Sequence, residues 1–183
     1  MPKTIEISPC KYWDGKREVF FTYPEKTVVF QIEHSLISIS KWESKWKKAF
    51  LAKTDQRTKE EMLDYVRCMT ITQNVDPNIY YFLPENVVKE ITDYISDTMT
   101  ATTFSANQEK SSKEIITSEL IYYWMTAFQI PFECEKWHLN RLMTLIRICS
   151  IKNAPQKKMG ANEIRARNKQ LNAERRKAMH SRG

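Results

Sequence analysis

The chain has 183 residues, 42% of them hydrophobic and 28% charged, with 29 Lys and Arg against 22 Asp and Glu. That size and apolar content suit one domain with a sizeable core plus an appendage, and no apolar run reaches the roughly eighteen residues that span a membrane. Only Gly15, Gly160 and Gly183 are glycine, which excludes the Gly-rich loops that cradle phosphate in the common nucleotide-hydrolysing and dinucleotide-binding enzymes.

The opening segment MPKTIEISPCKYWDGKRE lacks the apolar core of a signal peptide, so a cytoplasmic location is expected. Cys10, Cys68, Cys134 and Cys149 show no paired spacing and are expected as free thiols. The first 33 residues read as β structure. Thr4–Ile7 is short and β-prone, Asp14-Gly15 is a turn dipeptide, and the runs Val19–Tyr23 and Thr27–Ile32 flank Pro24-Glu25-Lys26 at hairpin spacing. So small a sheet has to pack on the rest of the chain.

From residue 35 onward the pattern is helical. Ser35 caps a helix whose apolar positions Leu36, Ile39, Trp42, Trp46 and Phe50 recur at three- and four-residue steps. Thr58-Lys-Glu-Glu61 has the form of a capping box and opens a second helix carrying Met62, Tyr65, Val66 and Met69. Asp76-Pro77 and Pro84 mark further starts, the latter leading through Val87, Ile91, Tyr94 and Ile95. Residues 100–112 are polar and unpatterned, which predicts a loop. Ser111 and Glu114 then suggest a cap for an apolar helix through Trp124 and Phe128. Its second half is apolar nearly all round, the mark of a buried helix, and Pro131 ends it. The next helix sets Trp137, Leu142, Met143, Ile146 and Cys149 against Lys136, Asn140, Arg141, Thr144 and Arg147.

After a break over Asn153–Gly160, the segment Asn162–Ala178 is helix-prone with a thin apolar line of Ala161 and, at seven-residue steps, Ile164, Leu171 and Ala178. Here the charge collects. Lys152 to Gly183 hold ten basic and two acidic residues, which leaves 19 and 20 for residues 1–151. A nearly neutral body ends in a basic arm, and charge this dense is relieved by an acidic protein surface, by nucleic acid or by solvent, the last making it a merely solubilising tail. The expected fold is therefore α+β, mainly α. A folded body over 1–153, β-rich to residue 33, comprises a small N-terminal antiparallel sheet on about five or six helices, and 154–183 form a basic helical extension.

Candidate chemistry is sparse. Cys134 and His138 lie four apart on one expected helix, a spacing compatible with a metal, but two further ligands are missing and a buried thiol beside a hydrogen-bonded histidine is the simpler reading. With only His34, His138 and His180 as histidines, no nucleophile–base–orienter set stands out. Neither an enzyme nor a cofactor is expected. Trp42 and Trp46, or Tyr122-Tyr123-Trp124, have the stacking surface to hold bases, yet at helical spacing among Ile and Leu they read as core.

Three segments carry a resemblance: QIEHSLISISKWESKW (31–46), FECEKWHLNRLMTLIR (132–147) and IRARNKQLNAERR (164–176). They resemble a family of tailed-bacteriophage proteins, the tail assembly chaperones. The resemblance implies no catalysis. It implies a body that coats the tape-measure protein and a C-terminal extension that recruits tail-tube subunits, acting in the host cytoplasm during assembly. The partner-binding residues expected in that extension are Ile164, Arg165, Arg167, Leu171, Arg175 and Arg176, with Ile164 and Leu171 spaced to dock in a groove. The competing expectation is a structural virion protein whose arm contacts nucleic acid or neighbouring subunits. Self-association fits either reading, and a membrane partner fits neither.

Overall fold

The computed structural model describes residues 2–52, 57–104, 114–154 and 161–179. The fold is α+β and mainly α. It divides into two compact units, Met1–Ser150 and Ile151–Gly183.

The first unit begins with four strands, β1 (Lys3–Ile7), β2 (Cys10–Asp14), β3 (Val19–Tyr23) and β4 (Val28–Ile32). The expected hairpin between β3 and β4 does not form. Instead β2 pairs with β3 across the Asp14-Gly15 turn, and β1 pairs antiparallel with β4 outside it. The physical reason lies in the alternation: β1 and β4 each put a strictly alternating apolar set on one face, Ile5 and Ile7 opposite Phe30 and Val28. Only that pairing buries both sets together. β2, a strand the sequence did not signal, supplies the partner β3 would otherwise lack. Tyr12, Phe21 and Tyr23 of this inner hairpin close around the Phe82 ring with centroids 4.9 to 5.7 Å away, and Tyr12 donates to the Phe82 carbonyl at 2.8 Å.

Helix α1 (Leu36–Trp46) starts at Ser35, whose backbone N–H donates to Ser38 Oγ at 2.9 Å. It ends at Lys47, which turns left-handed at φ 54°, so Phe50 lies beyond the helix and reaches the core from the following turn. Helix α2 (Lys59–Met69) opens on the expected capping box: Thr58 N–H donates to Glu61 Oε2 at 2.9 Å and Glu61 N–H to Thr58 Oγ1 at 3.2 Å. Met62 of α2 faces solvent rather than the core. The two helices are stitched by Trp42 Nε1–H on the Glu61 carbonyl and Trp46 Nε1–H on Asp64, both at 2.8 Å, with Lys48 paired to the buried Glu61 carboxylate. Asp76-Pro77 opens a 3-10 helix (Pro77–Phe82), and Pro84 precedes α3 (Glu85–Ser96).

Helix α4 (Ser118–Ala127) begins later than Ser111, which lies outside the described residues; Thr117 is the cap and its side chain accepts from Leu120 N–H at 3.4 Å. The helix is not buried all round. Ile121 and Met125 are fully covered, whereas Tyr123 is 66% exposed. Pro131 starts a 3-10 helix (Phe132–Lys136), and α5 (Leu139–Asn153) begins after Trp137 and His138, so Cys134 and His138 do not share a helix. The second unit contains α6 (Ala161–Ala178).

Glu43 holds three of these pieces together. The residue is 8% exposed, and its carboxylate accepts from Phe50 N–H and from Ser118 N–H, both at 2.8 Å. The second bond places an anion at the α4 N-terminus, where the helix dipole favours it. Replacing Glu43 by Gln turns an amide NH2 toward one of two buried donors. It should lower unfolding stability by about 2 kcal/mol, read from the urea midpoint at unchanged slope.

Candidate functional site

The expected binding residues all fall on α6. Along its 18 residues, Arg165, Lys169 and Arg176 line one side, and positions 164, 171 and 178 line another at heptad spacing. Leu171 is 39% exposed, and every side chain described from Arg165 to Met179 faces solvent. Arg175, Arg176 and Lys177 occupy the last turn, where cations complement the helix dipole. Arg182 and the Lys157-Lys158 pair lie outside the described residues.

The histidines lie in the middle of the body. His34 Nδ1 meets the Tyr65 hydroxyl at 2.5 Å, and its backbone N–H donates to the Tyr94 hydroxyl at 3.4 Å. The His138 ring stands edge-on to His34 with centroids 5.0 Å apart, and its Nε2 lies 2.9 Å from the Tyr94 carbonyl. A carbonyl only accepts, so Nε2 carries the proton. Nδ1 is then an unprotonated, buried atom without a hydrogen-bond partner. Burial, with the neighbouring His138 second, pushes His34 down to about 3, and burial likewise lowers His138. Burial, then Glu133, raises the Cys134 thiol, which disfavours a thiolate. Among the described residues no three His, Cys, Asp or Glu are grouped to hold a metal ion. Likewise no described helix is long and apolar enough to cross a membrane.

Two surfaces carry no signal in the sequence. On the outer face of the inner hairpin, Trp13 (54% exposed) and Phe20 (70%) pair across the strands at 4.9 Å. The second is a groove of about 600 Å³ between α4, α5 and the stretch Thr98–Phe104. Trp124 and Phe128 contribute one side, and Asn140, Met143, Thr144 and Arg147 of α5 another. These α5 positions run i, i+3, i+4 and i+7, a face assigned to solvent apart from Met143. Asn140 Nδ2 donates to the carbonyls of Ile95 at 3.0 Å and Asp97 at 2.7 Å, which fastens α5 to the end of α3 just before that stretch. At its outer end the Arg147 guanidinium stacks on Phe104 at 4.0 Å. Nothing local in the sequence signals this wall, because Thr98–Phe104 has no periodicity; it follows the end of α3, which Asn140 holds from some forty residues away.

Comparison with protein-family models, with curated proteins and with solved structures finds no match.

The histidine pair makes stability depend on pH. His34 is neutral in the folded chain down to about pH 3, but the unfolded chain protonates it near 6.5. Below 6.5 the unfolded state therefore binds more protons, so folding stability is flat above about pH 7 and falls as pH decreases toward 3. Between pH 7.5 and 5.5 His34 alone should remove about 1.4 kcal/mol, and His138 acts in the same direction. Urea titrations at the two pH values check this, and equal midpoints would contradict it.

Proposed function

We propose that the chain is a non-enzymatic assembly protein of a tailed bacteriophage, a tail assembly chaperone acting in the host cytoplasm. Its body binds the tape-measure protein and its C-terminal helix binds tail-tube subunits. The observation that carries this reading is the division of labour within the chain. The body is close to neutral, whereas the basic arm contains helix α6, with six basic and two acidic residues and a single apolar line. The resemblance of residues 31–46, 132–147 and 164–176 to tail chaperones supports it. The first two of those segments build the centre of the body, where they carry His34, Ser35, Trp42 and His138.

In this reading α6 docks by its apolar line, with Ile164 and Leu171 entering a groove of the partner while Arg165, Arg167, Arg175 and Arg176 meet acidic groups at its rim. A pure phosphate ribbon needs no such line. The basic excess itself favours a second reading, a structural virion component whose arm contacts nucleic acid or neighbouring subunits. Mass spectrometry of purified particles separates the two: stoichiometric presence in mature virions sinks the chaperone reading.

Co-expression with the phage's tape-measure protein should keep that protein soluble and bring it down with this chain. A tape-measure protein equally soluble alone and absent from the pull-down refutes the reading. Deleting residues 160–183 should abolish binding to tail-tube subunits and leave the helical circular dichroism of the body in place. The double change Ile164→Ser and Leu171→Ser should do the same with every charge kept. Intact binding there, combined with loss on Arg175→Glu and Arg176→Glu, would mean that the helix acts through charge alone.

A further inference from the structure

Helix α4 turns Trp124 and Phe128 toward the groove, and its other side carries Glu119, Tyr122, Tyr123 and Thr126 at i, i+3, i+4 and i+7. Tyr123 is 66% exposed there. The Tyr122 ring lies 6.4 Å from that of Phe132, which opens the 3-10 helix and is 57% exposed, and the Tyr122 hydroxyl donates to Glu135 Oε2 at 2.9 Å. Two exposed aromatic side chains are thereby joined to the carboxylates of Glu119, Glu133 and Glu135. Residues 115–135 contain those three acidic groups and no Lys or Arg. Among the described residues none of the three forms a salt bridge. Of the cations that follow, Lys136 ends the 3-10 helix and Arg141 is held over the Trp137 ring at 4.3 Å.

Helix α6 has the opposite character. It carries six basic and two acidic residues, and its Leu171 is 39% exposed. Among the described residues Arg165, Lys169, Arg175, Arg176 and Lys177 form no salt bridge. Both surfaces face solvent in the single chain, and each offers what the other lacks.

We infer that the aromatic and acidic patch of α4 and the 3-10 helix receives α6 of a second copy of this chain. Leu171 and Ala178 lie against Tyr123 and Phe132, while Arg175 and Arg176, whose forks match carboxylates, meet Glu133 and Glu135. Each copy offers both surfaces, so mutual exchange of α6 closes the assembly at two chains. The net charge of +7 opposes association at long range, but at physiological salt that field is screened within about 8 Å and the pairs in contact decide. The inference rests on reading α6 as a docking helix and adds its regulation: a tail-tube subunit has to displace the second copy.

The test weighs the full chain by sedimentation equilibrium at about 0.15 M salt. The average mass should rise with concentration from 21.7 kDa toward twice that value. Glu133→Lys with Glu135→Lys makes the patch basic, and Arg175→Glu with Arg176→Glu makes the helix acidic. Either variant alone should keep the mass of one chain. Mixed in equal amounts they should associate again, because each then meets opposite charge on the other. Tyr123→Ser with Phe132→Ser keeps every charge and should weaken self-association about tenfold or more, with thermal melts showing that the variants remain folded. A mass of one chain at every concentration, a mixture that stays apart, or association undisturbed by reversing the patch overturns the inference. The patch-reversed variant has its α6 free and should bind tail-tube subunits at least as well as the unmodified chain. If the unmodified chain binds none, the tail-tube reading falls, and sedimentation still decides the self-docking.

Discussion

The body of this protein depends on five residues, Gln31 to Ser35, the last two of β4 and the three that follow it. A buried strand end must find partners for its N–H and C=O groups, and here two distant stretches supply them. On one side Glu33 N–H donates to the Met69 carbonyl at 2.8 Å and Ile71 N–H to the Gln31 carbonyl at 2.9 Å. On the other, Leu139 N–H donates to the His34 carbonyl at 2.8 Å. The end of α2 and the start of α5 are thereby fastened to the N-terminal sheet through one segment. The side chains at the junction, His34, Tyr65, Tyr94 and His138, are buried, and their hydrogen bonds to one another and to backbone offset much of the loss of water.

That junction positions the elements that lie further out. His138 is the last residue before α5, so holding it against Ser35 and the Tyr94 carbonyl sets where α5 begins. Glu43 performs the corresponding task for α4, accepting from its first N–H. With both helices placed from the core, their outer faces and the stretch Thr98–Phe104 line the groove.

The two units divide their physics. Among the described residues, every buried apolar side chain lies before Ser150, while α6 keeps its described side chains in water. Hydrophobic burial therefore stabilises the first unit. The second is governed by charge, which is screened within about 8 Å at physiological salt. Interactions made through α6 are accordingly expected to be more sensitive to salt than interactions made in the apolar groove.

The sequence by itself determined the local elements whose causes are local. Ser35 and Thr58 mark helix starts, Pro84 precedes a third, and the apolar spacing of Leu36, Ile39 and Trp42 identifies a buried face. The charge excess of α6 was legible too, because charge needs no neighbours to be counted. Only the tertiary structure decided each matter of partnership between distant residues. β3 chose β2 over β4 because a ribbon of β1 and β4 buries both alternating faces. Phe50 left its helix at a left-handed Lys47 whose conformation no pattern announces. Cys134 and His138 were parted by a change from 3-10 turn to α-helix, and α5 was fastened to the end of α3 by hydrogen bonds from Asn140 to Ile95 and Asp97. Periodicity reports which face of one segment is apolar. It carries no information about which other segment will cover that face, because that choice depends on the summed burial and hydrogen bonding of the whole chain.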